Sequence, residues 1–156
     1  MATKSAILVG VGGQGAILTA KVLVNGLMEA GYDVKTSEVH GMSQRGGSVS
    51  TQVHWGDKVY APVIGPGGAY LLVAFEKMEA VRCANFLKPD GVAIINDYAI
   101  PSSTIAAGQE TYPEGCIEEM QKQVEQDMQE LLQQIQEFVQ QQNLQDAITV
   151  SQDGGK

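Results

Sequence analysis

Cysteine is scarce in this 156-residue chain, which contains only Cys83 and Cys116 and no CxxC motif. A structural zinc ion takes four ligands of this kind, and an iron–sulfur cluster takes four cysteines. Two thiols therefore cannot build either site within one chain, and we expect no metal centre here. Two unpaired thiols also suit a reducing compartment, so the sequence predicts a cytoplasmic location.

Basic residues are also few: ten Lys and Arg stand against eighteen Asp and Glu, for a formal net charge of −8. The ten do not cluster, whereas binding to phosphate backbones needs a basic face. The same charge disfavours an anionic membrane surface. No apolar run approaches the roughly 20 residues that cross a bilayer, and Met1 to Ser5 does not resemble a signal peptide. We expect neither nucleic acid nor membrane as a partner.

The first part of the chain follows a strand–turn–helix–strand pattern. Ala6 to Val9 is a continuous apolar run, as expected of a strand that is buried on both faces. After a glycine-rich turn, apolar residues recur at helical spacing from Ala16 to Glu29. Gly31 stands where a helix commonly ends in a left-handed residue. The alternation over Tyr32 to Val39 then predicts a second strand.

The middle of the chain predicts more strands around a helix. Ser48 to Trp55 alternates and is expected to form a hairpin with Lys58 to Val63. Leu71 to Phe75 and Val92 to Asn96 predict two buried strands, with a helix from Lys77 to Leu87 between them. The fold class is therefore α/β: a single domain with a Rossmann-like, mostly parallel sheet, helices on both faces and one inserted antiparallel hairpin.

Composition changes near residue 115, where a glutamine-rich stretch begins. Its apolar residues follow one heptad frame, which predicts a long amphipathic C-terminal helix that needs a surface to cover. We expect Asp146 to Val150 to form a last short strand and Ser151 to Lys156 to be a free tail. The chain is thus predicted to divide into an α/β domain, residues 1–115, and a glutamine-rich helix and tail, residues 116–156. The residues of the heptad stripe are Ile117, Val124, Met128, Leu131, Ile135 and Phe138.

The turn after the first strand has the G-x-G-x-x-G pattern, with Gly10, Gly12 and Gly15 at the three positions. Such a loop, followed by a helix N-terminus, is typical of a phosphate site. Close packing of strand and helix explains the same glycines equally simply. A free-standing nucleotide-binding module, such as an NAD-dependent reductase or a sensor, is an alternative function. Its ribose-binding acid would be Glu38, which lies 28 residues beyond Gly10 rather than the usual roughly 20 to 25. The amide of Gln14 suggests instead a polar contact with a partner.

Three separated segments resemble one protein family. They are the loop Gly10 to Gly15, the stretch Ser37 to Val49 and the strand Leu71 to Glu76. Together they resemble the gamma-type subunit of 2-oxoacid:ferredoxin oxidoreductases. The Arg45-Gly46-Gly47 triplet is common to that family, and His40 to Gln44 is similar to the small (beta) subunit of the indolepyruvate branch. The resemblance covers roughly residues 5 to 115.

The resemblance implies an activity that this chain does not have alone. Enzymes of the indolepyruvate branch convert an aryl-pyruvate, coenzyme A and oxidised ferredoxin into an acyl-CoA, carbon dioxide and reduced ferredoxin. Their large (alpha) subunit holds thiamine diphosphate and [4Fe–4S] clusters. The resemblance therefore implies a subunit that holds no cofactor by itself, binds the large subunit and meets ferredoxin only through the complex. Its glycine loop, Gly10 to Gly15, and its Arg45 loop, Gly41 to Gly47, would face the thiamine and coenzyme A site. Both loops would help to close that site against water.

Arg45 and His40 are the candidate catalytic residues. Arg45 offers a planar fork of donors to a carboxylate or phosphate, although pairing with Glu38 is a simpler alternative. His40 is a candidate proton carrier because histidine commonly has that role, but a histidine at a strand end commonly satisfies backbone groups. Residues that share a glycine-rich or polar loop form the predicted cofactor-binding set: Gly10, Gly12, Gly13, Gln14, Gly15, Arg45, Gly46 and Gly47.

Overall fold

The computed structural model describes residues 3–41 and 46–153, with side chains described to residue 145. The strands are β1 Lys4–Val11, β2 Asp33–His40, β3 Ser48–Gly56, β4 Ala69–Ala74 and β5 Leu87–Ile95. The helices are α1 Ala16–Glu29, α2 Lys77–Arg82, α3 Ser103–Ala106 and α4 Cys116–Asp153, with a 3-10 turn over Ala84–Phe86.

The strands form one sheet in the order β2-β3-β1-β4-β5. Strand β4 runs parallel to β1 and to β5, whereas β3 runs antiparallel to both β1 and β2. The predicted α/β class, with helices on both faces and a long C-terminal helix, is confirmed. The sheet is mixed rather than mostly parallel, since two of its four pairings are antiparallel.

The antiparallel strand has different neighbours from those the sequence predicted. Residues 58–63 form no strand, so the predicted hairpin with β3 is wrong. Their backbone groups bind side chains instead: Val59 N–H donates to Asp33 Oδ2 at 2.8 Å, and Ala61 O lies 2.8 Å from His54 Nδ1. Strand β3 is buried on both faces, which suits a central strand rather than one arm of a surface hairpin.

The two faces of the sheet carry separate apolar clusters. Helix α1 covers one face through Ala20, which packs with Ala6 and Leu8 of β1. On the other face, Ala80 of α2 and Met120 of α4 pack against the alternate residues of β1. Helix α1 ends as predicted, at Gly31 with φ of 88°. The next N–H, of Tyr32, donates to Leu27 O at 3.1 Å, which satisfies a carbonyl of the last turn.

Helix α4 is 38 residues long, about 57 Å at the usual rise per residue. Its first turns belong to the core, since Cys116 and Met120 are 4% and 2% exposed. Further along, Ile135 and Phe138 are 50% and 61% exposed, so the distal part of the predicted apolar stripe covers no surface of the described chain, whereas Val124 packs against the core. The helix also includes residues 146–153, where we predicted a strand followed by a tail; residues 154–156 lie outside the described part. Among the described helices, none has the length and hydropathy to cross a bilayer.

Two truncations of α4 are expected to differ sharply. Ending the chain after Gly115 removes the buried Cys116 and Met120 and should lower the free energy of unfolding by roughly 3–5 kcal/mol. Ending it after Gln129 keeps both and should leave the free energy of unfolding within about 0.5 kcal/mol of the full chain. Urea unfolding of the two truncated chains beside the full chain checks this. Equal stability of all three would show that the first turns of α4 do not stabilise the core.

Candidate functional site

The predicted site residues meet at one edge of the sheet. Strands β1, β2, β4 and β5 all end at this edge, and the antiparallel β3 begins there. Ligands of open α/β sheets bind outside the carboxyl ends of the strands. Arg45 lies outside the described residues, so its placement stays a prediction. The predicted residues that the structure places at this edge are Gly10, Gly12, Gly13, Gln14, Gly15, His40, Gly46 and Gly47.

The end of the glycine loop has a backbone that favours glycine. Gly13 and Gly15 have φ values of 101° and 87°, and Gly15 is the N-cap of α1. No acidic residue stands in the first turn of α1, so its N–H groups and positive dipole end are available to an anion. A groove of about 280 Å³ opens over this helix end. It is lined by Val11, Gly12, Gly13, Gly15, Ala16, Ile17 and Val49.

Gly10 is explained by packing instead. A Cβ at this position would lie 3.0 Å from Gln14 Oε1 and 3.1 Å from Phe75 Cβ. At Gly13 and Gly15 a Cβ would have no neighbour within 4 Å. The close-packing interpretation therefore fits the first glycine of the motif, whereas Gly13 and Gly15 have open space beside them, and the binding of a cofactor by this loop stays a prediction.

Gly10→Ala is expected to lower the free energy of unfolding by about 1–3 kcal/mol, because the added methyl group overpacks the contact between loop and strand. Gly26→Ala is the matched control. Gly26 lies inside α1 with open space at its Cβ position, and there the same change should stabilise by roughly 0.5–1 kcal/mol. Chemical denaturation of both variants provides the measurement. Stabilisation by Gly10→Ala would contradict the packing explanation.

The side chain of Gln14 is used within the chain. Its Oε1 accepts from Val11 N–H and its Nε2 donates to Phe75 O, both at 2.8 Å. Phe75 O also accepts from Asn96 Nδ2 at 3.2 Å. Gln14, which we had interpreted as a contact with a partner, thus joins the ends of β1 and β4. Asn96 follows β5 and donates to the same carbonyl, so hydrogen bonds connect the ends of the three parallel strands β1, β4 and β5.

The two predicted loops are joined by their backbones. Gly12 N–H donates to Gly47 O at 2.8 Å, and Gly41 N–H donates to Ser48 O at 3.3 Å. Gly47 is therefore joined to the glycine loop, and Gly41 is joined to Ser48.

Among the described residues, neither Glu38 nor His40 makes a contact that indicates a function. Glu38 lies opposite Thr51, which lies opposite Leu8, so β3 separates Glu38 from the strand that carries the glycine loop. Two strand spacings amount to about 10 Å, unlike the adjacent strands of a dinucleotide site. His40 is exposed, and its Nδ1 lies 3.4 Å from Gly41 O. Its catalytic role stays a prediction.

Two buried carboxylates at the same edge were missed as site residues. Glu76 and Glu79 are 0% and 2% exposed. Glu76 Oε2 accepts from Glu79 N–H at 2.9 Å and so caps α2, while Glu76 Oε1 accepts from Ile100 N–H at 3.2 Å and from the Tyr112 hydroxyl. Burial and the bond to Glu76 raise the pKa of Tyr112, which keeps the phenol protonated as a donor. The sequence feature that could have identified Glu76 is its position directly after a buried strand.

Glu79 joins this cluster to the loops. Its Oε2 accepts from Ser48 Oγ at 2.5 Å, and its Oε1 accepts from Arg82 Nη1 at 3.2 Å. Ser48 is the first residue of β3 and follows Gly47 directly. Nothing in the spacing of Glu79 and Ser48, 31 residues apart, indicates their contact.

The thiols and a second cavity add no chemistry at this edge. Burial raises the pKa of Cys83 to about 11 and also raises that of Cys116, so both are protonated near neutral pH. In the described ranges, no group of three or more His, Cys, Asp or Glu side chains could hold a metal ion. A cavity of about 580 Å³ lies between β5 and the start of α4, and none of the predicted site residues lines it.

A mixed α/β sheet with a glycine loop and a helix N-terminus at its carboxyl edge defines a Rossmann-like α/β domain. The model of the pyruvate ferredoxin/flavodoxin oxidoreductase family matches residues 5–148. The chain belongs to that family.

Curated relatives include the indolepyruvate oxidoreductase subunit IorB of two archaea. The Archaeoglobus fulgidus subunit is 46% identical over 108 residues, which cover 69% of this chain and 53% of the relative. The Thermococcus kodakarensis subunit is 42% identical over 121 residues, which cover 78% of this chain and 59% of the relative. The chain thus spans between half and two thirds of the length of these relatives.

Solved structures agree on the fold. The pyruvate oxidoreductase subunit PORC of Thermotoga maritima has a TM-score of 0.51 and 18% identity, and the similarity covers 72% of this chain and 58% of that one. A 2-oxoglutarate:ferredoxin oxidoreductase from Magnetococcus marinus, with 2-oxoglutarate, coenzyme A and succinyl-CoA bound, has a TM-score of 0.55 and 19% identity. That similarity covers 74% of this chain and 19% of the other.

Proposed function

We propose that this chain is the small subunit of an indolepyruvate-type 2-oxoacid:ferredoxin oxidoreductase and is inactive alone. The complex would decarboxylate an aryl-pyruvate oxidatively to an acyl-CoA and reduce ferredoxin. The observation that carries the proposal is the 39–46% identity to the curated IorB subunits within a family match over residues 5–148. The two cysteines, both unpaired, support the cytoplasm as its compartment.

Within that complex, we propose that the glycine-loop edge faces the thiamine diphosphate and coenzyme A site of the large subunit. The oxoacid, the thiamine diphosphate and the coenzyme A are all anions, and the open amides at the start of α1 suit a negative group. The related 2-oxoglutarate enzyme with coenzyme A bound makes this assignment reasonable. The cofactors of the large subunit would supply the decarboxylation and the electron transfer to ferredoxin.

The residues of this chain would bind an anionic group of the substrate or cofactor and enclose the site. Gly13 and Gly15 would leave room for an anion over α1, and Arg45 would add a forked cation from the neighbouring loop. The bond between Gly12 and Gly47 would keep the two loops in one position as they exclude water. His40 would stand at the rim of the same edge as a proton carrier.

Co-expression with the large subunit tests the assembly directly. We expect a stable complex on size-exclusion chromatography and no tight binding of NAD, FAD or ATP to this chain in calorimetry. Failure to form the complex, together with micromolar binding of a dinucleotide, would favour the free-standing nucleotide-binding module instead.

A further inference from the structure

Glu79 is a buried carboxylate to which the proposed function assigns no role. It is 2% exposed and lies on α2, a helix of six residues at the glycine-loop edge. Burying a carboxylate costs several kcal/mol unless hydrogen bonds compensate it. Its two oxygens accept from Ser48 and from Arg82, and no other side chain of the described residues is recorded as donating to them.

The hydrogen bond from Ser48 connects Glu79 to the start of β3, directly after Gly47. At 2.5 Å it has the length of a hydroxyl bound to a carboxylate, the stronger class of hydrogen bond. Arg82 donates to the other oxygen of the same carboxylate at 3.2 Å, and this ion pair, which joins two residues of α2, offsets part of the cost of burying Glu79. Ser48 holds the start of β3, and the residue before it, Gly47, accepts from Gly12 N–H at 2.8 Å.

A continuous path therefore leads from Glu79 through Ser48 and Gly47 to Gly12. Glu79 is fixed in turn by its own backbone, since its N–H donates to the fully buried Glu76 at 2.9 Å. The path crosses from α2, on one face of the sheet, to the loop that begins α1, on the other face. This path fixes Gly47 and Ser48 relative to the glycine loop.

We propose that Glu79 is a positioning residue that, through Ser48, holds the Gly46–Gly47 end of the Arg45 loop against the glycine loop at Gly12. The assignment deepens the proposed function and rests on it, because it concerns the same edge. Glu79 touches no substrate in this role. It determines the separation of the two loops that would enclose the substrate site.

Ser48→Ala is the decisive variant, since it removes the contact without leaving an empty space in the core. Ser5→Ala is its matched control: Ser5 Oγ donates to Gly68 O, also at 2.5 Å, but at the opposite edge of the sheet. Amide hydrogen exchange of the full chain would be followed at Gly12, with Phe75 N–H, bonded to Val9 O at 2.9 Å, as the internal reference. We expect exchange at Gly12 to become roughly tenfold faster in Ser48→Ala and to stay unchanged in Ser5→Ala.

Ser48→Thr keeps a hydroxyl and should restore slow exchange at Gly12, which a loss of general stability would not explain. Unchanged exchange at Gly12 in Ser48→Ala, or an equal increase at Gly12 and Phe75, would overturn the positioning role. In the assembled complex we expect Ser48→Ala to lower kcat/KM for the oxoacid about tenfold and Ser5→Ala to leave it unchanged. Faster exchange at Gly12 with unaltered kcat/KM would support the positioning role and overturn the proposed function of this edge.

Discussion

Arg45→Ala is expected to slow turnover of the assembled complex by roughly ten- to a hundredfold while the melting temperature of the free subunit stays nearly unchanged. One charge-assisted contact to an anion contributes about 1.5–3 kcal/mol, which corresponds to that loss of rate. The loop from Gly41 to Gly47 is polar, so its side chains add little to a core, and surface substitutions usually shift stability by less than about 0.5 kcal/mol. The backbone bonds at both ends of the loop do not involve the Arg45 side chain.

Two further variants decide whether the forked cation matters. Arg45→Lys should recover only part of the rate, because an ammonium lacks the guanidinium fork. Lys35→Ala removes a partly exposed cation from β2 that pairs with Asp33 and should leave turnover unchanged. The measurement is indolepyruvate-dependent viologen reduction, beside melting curves of the free subunits. Full activity in Arg45→Ala would refute the functional role, and a large fall in melting temperature would make the arginine structural.

Glu76→Ala is expected to cause the largest loss of stability among the single substitutions, about 3–5 kcal/mol. The change leaves three donors without their acceptor: Glu79 N–H, Ile100 N–H and the Tyr112 hydroxyl. Each buried donor that loses its partner costs about 1–3 kcal/mol, and partial hydration reduces the sum. The helix cap of α2 is lost at the same time.

Single-contact variants separate these contributions. Tyr112→Phe removes one donor and its bond together and should cost only about 0.5–1.5 kcal/mol. Glu110→Ala is the control, because Glu110 is exposed and accepts only from the Thr104 hydroxyl at 3.2 Å among the contacts described. That change should stay within about 0.5 kcal/mol of wild type. Urea denaturation of the three variants gives the comparison, and a loss below about 1 kcal/mol in Glu76→Ala would contradict the role of this cluster.

Local sequence patterns predicted the strands β1 to β5 and the helices α1 and α4 but not the partners of β3, and the strands predicted at residues 58–63 and 146–150 were wrong. The apolar run of β1, the helical period of α1 and the glycine at its end each depend on neighbouring residues, and each was confirmed. The pairing of β3 depends on contacts across the sheet. Alternation in residues 48–55 indicated a strand, but the strand lies between β1 and β2, where both its faces are buried.

For the candidate site, too, local patterns were predictive and contacts between distant residues were not. Glycines at the carboxyl end of a strand predicted the edge, and Gly12, Gly13 and Gly15 lie there. The bond between Ser48 and Glu79 joins residues 31 positions apart on different elements, which no spacing reveals. The distal stripe of α4 had the right period for a helix, but periodicity does not show which surface a helix covers.

The most direct test of the central claim is reduction of viologen by the large subunit with indolepyruvate and coenzyme A, measured with and without this chain. We predict that neither chain reduces viologen alone and that activity rises to a plateau at one copy of this chain per large subunit. Equal activity of the large subunit in the absence of this chain would contradict the proposed function.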